Sequence, residues 1–94
     1  MRKSNIMKTS QQLERHFKGM ANHWRIAILL VVQKNSGITV DGITQKLDGG
    51  FKNISQHTRR LVLAGLLNKK YQGAQVIHSL SPYGKSFCRF IKTF

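Results

Sequence analysis

The stretch over residues 54–80 limits the possible folds more than any other part of the chain. It opens with ISQHTRRLVLAGLL, in which apolar residues recur at helical spacing up to a glycine. Two short β-prone runs, residues 67–71 and 75–80, follow at once and are separated only by the sequence QGA, a pattern typical of a hairpin. The stretch therefore predicts a helix that leads directly into an antiparallel β-hairpin.

The remaining segments predict four more helices. Ser10, Asn22 and Thr39 each precede apolar residues at helical spacing and are candidate N-caps. Ser81 followed by Pro82 predicts the start of a last helix that runs nearly to the end of the chain. The order is helix, helix, helix, turn, helix, hairpin, helix. This mainly α fold with a small β-hairpin is the layout of a winged helix-turn-helix domain.

The length of the chain allows one domain. With 94 residues, it can bury a single modest core. We expect residues 1–9, which include Arg2, Lys3 and Lys8, to form a flexible basic leader. This leader is either an arm that follows a nucleic acid or a frayed terminus. Residues 10–94 are expected to form the domain.

The charge balance indicates an anionic partner. Sixteen Lys and Arg residues against three acidic ones give a formal charge of +13, which opposes compaction through self-repulsion. So few acidic residues, one cysteine and no glycine-rich phosphate loop leave few means of assembling a catalytic site, and we predict that the chain is not an enzyme. The longest apolar run, residues 26–32, is too short to cross a bilayer. We therefore expect a cytoplasmic, nucleoid-associated protein with no membrane partner.

Three short motifs resemble those of one regulator family. Residues 55–66 contain S-x-H, a leucine and A-G-L, similar to the recognition helix of the ArsR-like transcription regulators of bacteria and archaea. The sequence HSLSPYG at residues 78–84 resembles that family's exit from the hairpin, Y-S-L-T-P-x-G, and FKGMANHWR at residues 17–25 lies where the family has F-K-A-L-S-D-P-T-R. His23 and Thr58 depart from the pattern, replacing a proline and an apolar residue. The resemblance covers residues 13–92 and implies a regulator, expected to be a repressor, that binds specific sequences in double-stranded DNA.

The expected recognition helix, residues 53–66, has an apolar and a polar side. On a helical wheel, Ile54, Thr58 and Leu61 face the core. Leu63 is the one apolar residue on the polar side, where it could meet the hairpin. The polar side would enter the major groove, and the hairpin, residues 67–80, would contact the DNA backbone. The predicted DNA-binding residues are Lys52, Asn53, Ser55, Gln56, Arg59, Arg60, Lys69 and Lys70.

The last helix indicates a homodimer. Helix-turn-helix proteins usually bind paired half-sites as dimers, and the last helix carries more apolar surface than one small domain easily covers. In the ArsR-like family the first and last helices form the dimer. The predicted interface is therefore Leu13, Phe17, Phe87, Ile91 and Phe94. The alternative is that these side chains pack inside one subunit.

Metal sensing, which the resemblance also suggests, lacks its ligands in this sequence. The third helix begins Val40-Asp41-Gly42, without the family's thiolates, and the last helix lacks the His and carboxylate ligands of the other common site. We therefore predict no metal and no cofactor. Cys88 is either a redox switch, if Lys85 and Arg89 lower its pKa, or a buried and inert thiol.

Other functions stay open at this stage. A MarR-like regulator would share the G-L turn and the exit from the hairpin. A low-specificity architectural protein that coats DNA would suit the spread of Lys and Arg along the whole chain. A winged-helix module that binds protein or RNA is a further alternative.

Overall fold

The computed structural model describes residues 7–94, and its elements follow the predicted order. Most of the expected leader, residues 1–6, lies outside the described residues. The elements are helices α1 (Ser10–Met20), α2 (His23–Lys34), α3 (Val40–Leu47) and α4 (Phe51–Leu63), strands β1 (Leu67–Gln72) and β2 (Gln75–Leu80), and helix α5 (Pro82–Thr93). The predicted mainly α architecture with one small hairpin is confirmed.

The helix caps follow the sequence with one correction. The side chains of Asn22, Thr39 and Ser81 accept hydrogen bonds from backbone N–H groups in the first turns of α2, α3 and α5, as predicted. The cap of α1, however, is Thr9 and not Ser10. The Thr9 hydroxyl accepts from the Gln12 N–H at 3.1 Å while the Gln12 side chain accepts from the Thr9 N–H at 2.9 Å. Only Thr9 has a glutamine three residues on, which makes this reciprocal capping box possible.

Helix α4 differs at both ends from the predicted span of residues 53–66. It begins at Phe51, with Gly50 as an N-cap that offers no side chain, and its last helical residue is Leu63. Gly65 has φ = 78°, the left-handed conformation that glycine adopts without strain. The Leu66 N–H then bonds to the Leu61 carbonyl and the Gly65 N–H to the Val62 carbonyl. This is a Schellman ending, and it turns the chain directly into β1.

The core forms where α2 packs against α3, α4 and the hairpin. Ile28, Leu29 and Val32 of α2 are fully buried, as is Ile43 of α3, so α2 lies at the centre of the core. From α4 the core receives the predicted face: Ile54, Thr58 and Leu61. The wheel phase of α4 is therefore correct, and its opposite side faces outward.

The hairpin is a two-stranded antiparallel sheet whose register runs from Leu67↔Leu80 to Gln72↔Gln75. An isolated bridge between Ile38 and His78 connects it to the segment between α2 and α3. Beyond Leu67, all of β1 is exposed. The hairpin is thus fixed at its base and projects at its tip.

Cys88 is buried in the core, and its Sγ lies 3.8 Å from the Leu29 carbonyl oxygen. Burial raises the pKa of the thiol, and Lys92 only partly opposes this effect. A thiol with a raised pKa is a poor nucleophile. The redox-switch hypothesis is therefore replaced by the alternative of an inert core cysteine.

None of the helices within residues 7–94 has the length and apolar character needed to span a bilayer. Nor does this range contain a group of three or more His, Cys, Asp or Glu residues placed to hold a metal ion.

Candidate nucleic-acid interface

The outer side of α4 is a polar and basic surface on a rigidly packed helix. Gln56, Arg59 and Arg60 are exposed, while Ile54 and Leu61 on the opposite side have no solvent exposure. Because the buried side fixes the rotation of the helix, the direction in which the arginines leave the surface is fixed as well. Of the predicted DNA-binding residues, Lys52, Gln56, Arg59, Arg60, Lys69 and Lys70 are exposed, and Asn53 and Ser55 are half-buried.

The N-terminal end of α4 is open. Gly50 provides no capping side chain, so the helix dipole is not offset there by an acidic or hydroxyl group. Lys52 stands beside this end and is exposed. This end of α4 is therefore suited to an anionic group.

The two hairpin lysines do not share a face. Lys69 pairs across the hairpin with His78, and Lys70 pairs with Ile77. Neighbouring residues of a strand point to opposite faces, and cross-strand partners point to the same one. Lys69 and Lys70 therefore leave β1 on opposite faces of the hairpin.

The structure brings three basic residues to α4 that the sequence reading missed. Arg15 and Lys18 of α1 and Arg25 of α2 line an open cleft of about 740 Å³ together with Gln56, Arg59, Arg60 and Leu63 of α4. Arg15 and Lys18 are three positions apart on a helix and share a face, a signal that was present in the sequence. Leu63 is 73% exposed and lies on this cleft, so it is not packed against the hairpin, contrary to the expectation from the sequence.

His57 shows that positive charge accumulates beside α4. Burial lowers its pKa from the ordinary 6.5, and Arg25, Arg60 and His23 lower it further. The Nδ1 atom of His57 is buried without a hydrogen-bond partner among residues 7–94. The lowered pKa disfavours the charged imidazole, so the positive charge of this surface comes chiefly from its arginines and lysines.

Stability should fall on mild acidification. His78 also has a pKa below 6.5, chiefly because it is buried, with Lys69 adding to the shift and a hydrogen bond to the Ile38 carbonyl opposing it. The pKa of such a histidine is lower in the folded state than in the unfolded state, so the unfolded chain binds the proton first as the pH falls. The free energy of unfolding therefore keeps its full value above about pH 6.5 and declines below it. Urea denaturation at about pH 7.5 and about pH 5.5 measures this loss. The replacement His78→Gln should flatten the profile, and equal stability of the parent at both pH values would contradict the assignment.

A second, apolar surface lies between α1 and α5. Leu13 and Phe17 are 40% and 48% exposed, and Phe94 is 96% exposed. The rings of Phe17 and Phe87 meet edge-to-face, with 5.2 Å between centroids. Phe87 and Ile91 are half-buried and contact the core within the subunit. Phe90, 50% exposed, belongs to the same surface and was not among the predicted interface residues.

Comparison with solved structures finds the same architecture in several proteins. HlyU from Vibrio cholerae aligns with a TM-score of 0.80 over 92% of this chain and 94% of its own, at 26% identity. The transcriptional repressor PagR of Bacillus anthracis gives 0.79 over 86% and 93%, at 22% identity. The homodimeric winged helix-turn-helix DNA-binding domain of Mb0332 from Mycobacterium bovis, a possible ArsR-family regulator, gives 0.76 over 94% and 86%, at 16% identity. This chain is a winged helix-turn-helix domain.

In this winged helix-turn-helix domain, α3 and α4 are the paired helices and the β1–β2 hairpin is the wing. No protein-family model matches the sequence, and no curated protein matches it either. PagR is described as a transcriptional repressor, and Mb0332 as a possible ArsR-family transcriptional regulator. The comparisons thus show the fold. The assignment to the ArsR-like family rests on the sequence motifs.

Proposed function

We propose that the protein is an ArsR-like transcriptional regulator, acting as a repressor, that binds specific sequences in double-stranded DNA as a homodimer. Helix α4 would lie in the major groove and the wing on the backbone. The observation that carries this proposal is the exposed row Gln56, Arg59 and Arg60 on a helix whose other side is fully buried. Glutamine and arginine side chains can exchange hydrogen bonds with base edges, and arginine can also bind phosphate. No acidic residue lies between Gly49 and the end of the sequence, so α4 and the wing carry no acidic side chain of their own.

The homodimer rests on the apolar surface between α1 and α5. Exposed aromatic side chains at this density are unfavourable in water, and burying them against a second copy would remove that cost. The domain of Mb0332 is homodimeric, which supports the same assembly here. A dimer would present two α4 helices to half-sites about one helical turn apart.

The test is in vitro selection from random duplex DNA, combined with the mass of the protein in solution. A two-fold symmetric consensus and a dimeric mass are the expected results. A specific regulator should prefer its selected site over random DNA by about a thousandfold or more. Equal affinity for both would instead identify the low-specificity architectural protein, and failure to bind duplex DNA at modest ionic strength would refute the proposal.

Arg59→Ala should weaken binding to the selected site by at least about tenfold, or about 1.4 kcal/mol. Arg59 is exposed, so the melting temperature should not change. The matched control is Lys34→Ala, which removes the same charge from an exposed position at the far end of α2. Fluorescence anisotropy with labelled duplex measures both variants, and an unchanged affinity for Arg59→Ala would remove this residue from the interface.

Gly50→Asp should separate stability from binding. An aspartate at the N-cap of α4 supplies the missing side-chain acceptor, and a Cβ at this position meets no atom within 4 Å. We expect a gain of roughly a few tenths of a kcal/mol in the free energy of unfolding together with weaker DNA binding, because the new charge faces the phosphates. Gly50→Ser, an uncharged cap, is the control. Equal DNA affinity of the two variants would show that this end of α4 stays away from DNA.

A further inference from the structure

The cleft between α1 and α4 concentrates positive charge on one side of the expected recognition surface. Arg15 and Lys18 supply one wall, and Arg59 and Arg60 supply the other. Among residues 7–94 the one salt bridge at this surface joins Lys18 to Glu14 at 3.1 Å, with both side chains more than half exposed. Exposed pairs of this kind contribute little. The cleft therefore keeps a large uncompensated positive charge.

The α1 wall is held firmly against the end of α4. The Nδ1 atom of buried His16 lies 2.9 Å from the Ala64 carbonyl oxygen. Gly19 approaches Ala64 so closely that an added Cβ would lie 2.3 Å from the Ala64 Cβ. Arg15 and Lys18 project from α1 beside His16 and Gly19, so the packing of α1 on α4 sets the position of both residues. They form a fixed part of the surface that contains Arg59.

Arg25 has a positioning role in this cleft. Its Nη1 donates to the carbonyl oxygens of Lys18 at 3.4 Å and Gly19 at 3.1 Å, which ties the start of α2 to the end of α1. Its Nε is buried. The side chain therefore adds positive charge to the cleft, but few of its donors are available to a ligand. The donors available to a ligand are those of Arg15, Lys18, Arg59 and Arg60, all exposed.

We propose that Arg15 and Lys18 form a second contact with the DNA backbone, on the side of α4 that faces α1. The inference rests on the proposed function. The cleft is continuous with the outer side of α4, and it is open along its length rather than closed around one small ion. A sugar–phosphate strand bordering the major groove fits both properties. The exposed Leu63 side chain at the same cleft gives an apolar surface for deoxyribose. The bound duplex is then contacted by α1 as well as by α4 and the wing.

The experiment compares Arg15→Gln/Lys18→Gln with Lys34→Gln/Lys85→Gln, which removes the same charge from exposed positions outside the cleft. Affinities for the selected site and for random duplex are measured over a range of salt concentrations. Each lost phosphate contact should reduce the magnitude of the log–log salt slope by about 0.9. We expect the cleft variant to lose at least tenfold in affinity on both duplexes. Its slope should be smaller in magnitude than that of the control by about 1.8 per bound subunit, because two phosphate contacts are lost. Circular dichroism should show equal melting temperatures, because all four residues are exposed.

The outcomes separate this inference from the proposed function. If Arg59→Ala weakens binding but the cleft variant matches its control, the α1 contact is overturned and the regulator function stands. If the parent protein binds no duplex, both are overturned. A further arm adds inorganic phosphate at constant ionic strength. In one outcome, phosphate raises the melting temperature of the parent but not of the cleft variant, while the variant binds DNA as well as its control does. That combination would identify a small-anion site and overturn the DNA assignment.

Discussion

Leu61→Ala should lower the free energy of unfolding by about 2–5 kcal/mol, the range for truncating a fully buried leucine. Leu61 has no solvent exposure, and its carbonyl also accepts the Leu66 N–H that ends α4. The deleted methyl groups would leave a cavity where α4 meets the core. A small domain has a total stability of only about 5–15 kcal/mol. The loss should therefore appear as a fall of at least about 8 °C in melting temperature.

The control for Leu61→Ala is Leu63→Ala in the same helix. Leu63 is 73% exposed, so the same chemical change should alter stability by no more than about 0.5 kcal/mol. Urea denaturation of both variants measures the difference. Equal losses for Leu61→Ala and Leu63→Ala would mean that the rotation of α4 is wrong, and with it the outward direction of Arg59.

Much of the fold could be predicted because its signals are local. Asn22, Thr39 and Ser81 cap helices through hydrogen bonds to residues two or three positions on. The hairpin follows from two β-prone runs and a short turn. Ala64 and Leu66 are good helix formers, so the sequence predicts that α4 continues to residue 66. The Schellman bonds at Gly65 instead stop the helix after Leu63.

The candidate site could be predicted only where it lies within one helix. Gln56, Arg59 and Arg60 are neighbours on α4, and periodicity places them on one side. Arg15 and Lys18 reach the same surface only because α1 packs against the end of α4, and no local pattern predicts that packing. The opposite faces of Lys69 and Lys70, by contrast, follow from strand alternation alone.

Gly84→Ala should destabilise the fold by about 1–3 kcal/mol, the usual cost of overpacking a core. The position lies in the first turn of α5, where a Cβ would sit 2.1 Å from the Leu66 carbonyl oxygen. That oxygen accepts the Ser81 N–H, and the Ser81 hydroxyl donates to the Gly65 carbonyl at 2.7 Å. The neighbouring atom is thus backbone held in place by hydrogen bonds, and it cannot rotate away.

Gly84 and Gly65 belong to two of the three motifs that resemble the ArsR-like family, and both lie at the junction of α4, the wing and α5. Displacing α5 from Leu66 would also move Phe87 and the apolar surface proposed to form the dimer. Gly84→Ala should therefore weaken dimerisation as well as folding, which sedimentation equilibrium can detect. Gly50→Ser, which adds a side chain where no atom lies within 4 Å, should keep full stability and the parent's mass. If Gly84→Ala behaved in the same way, α5 could not be packed on Leu66 as closely as the structure has it.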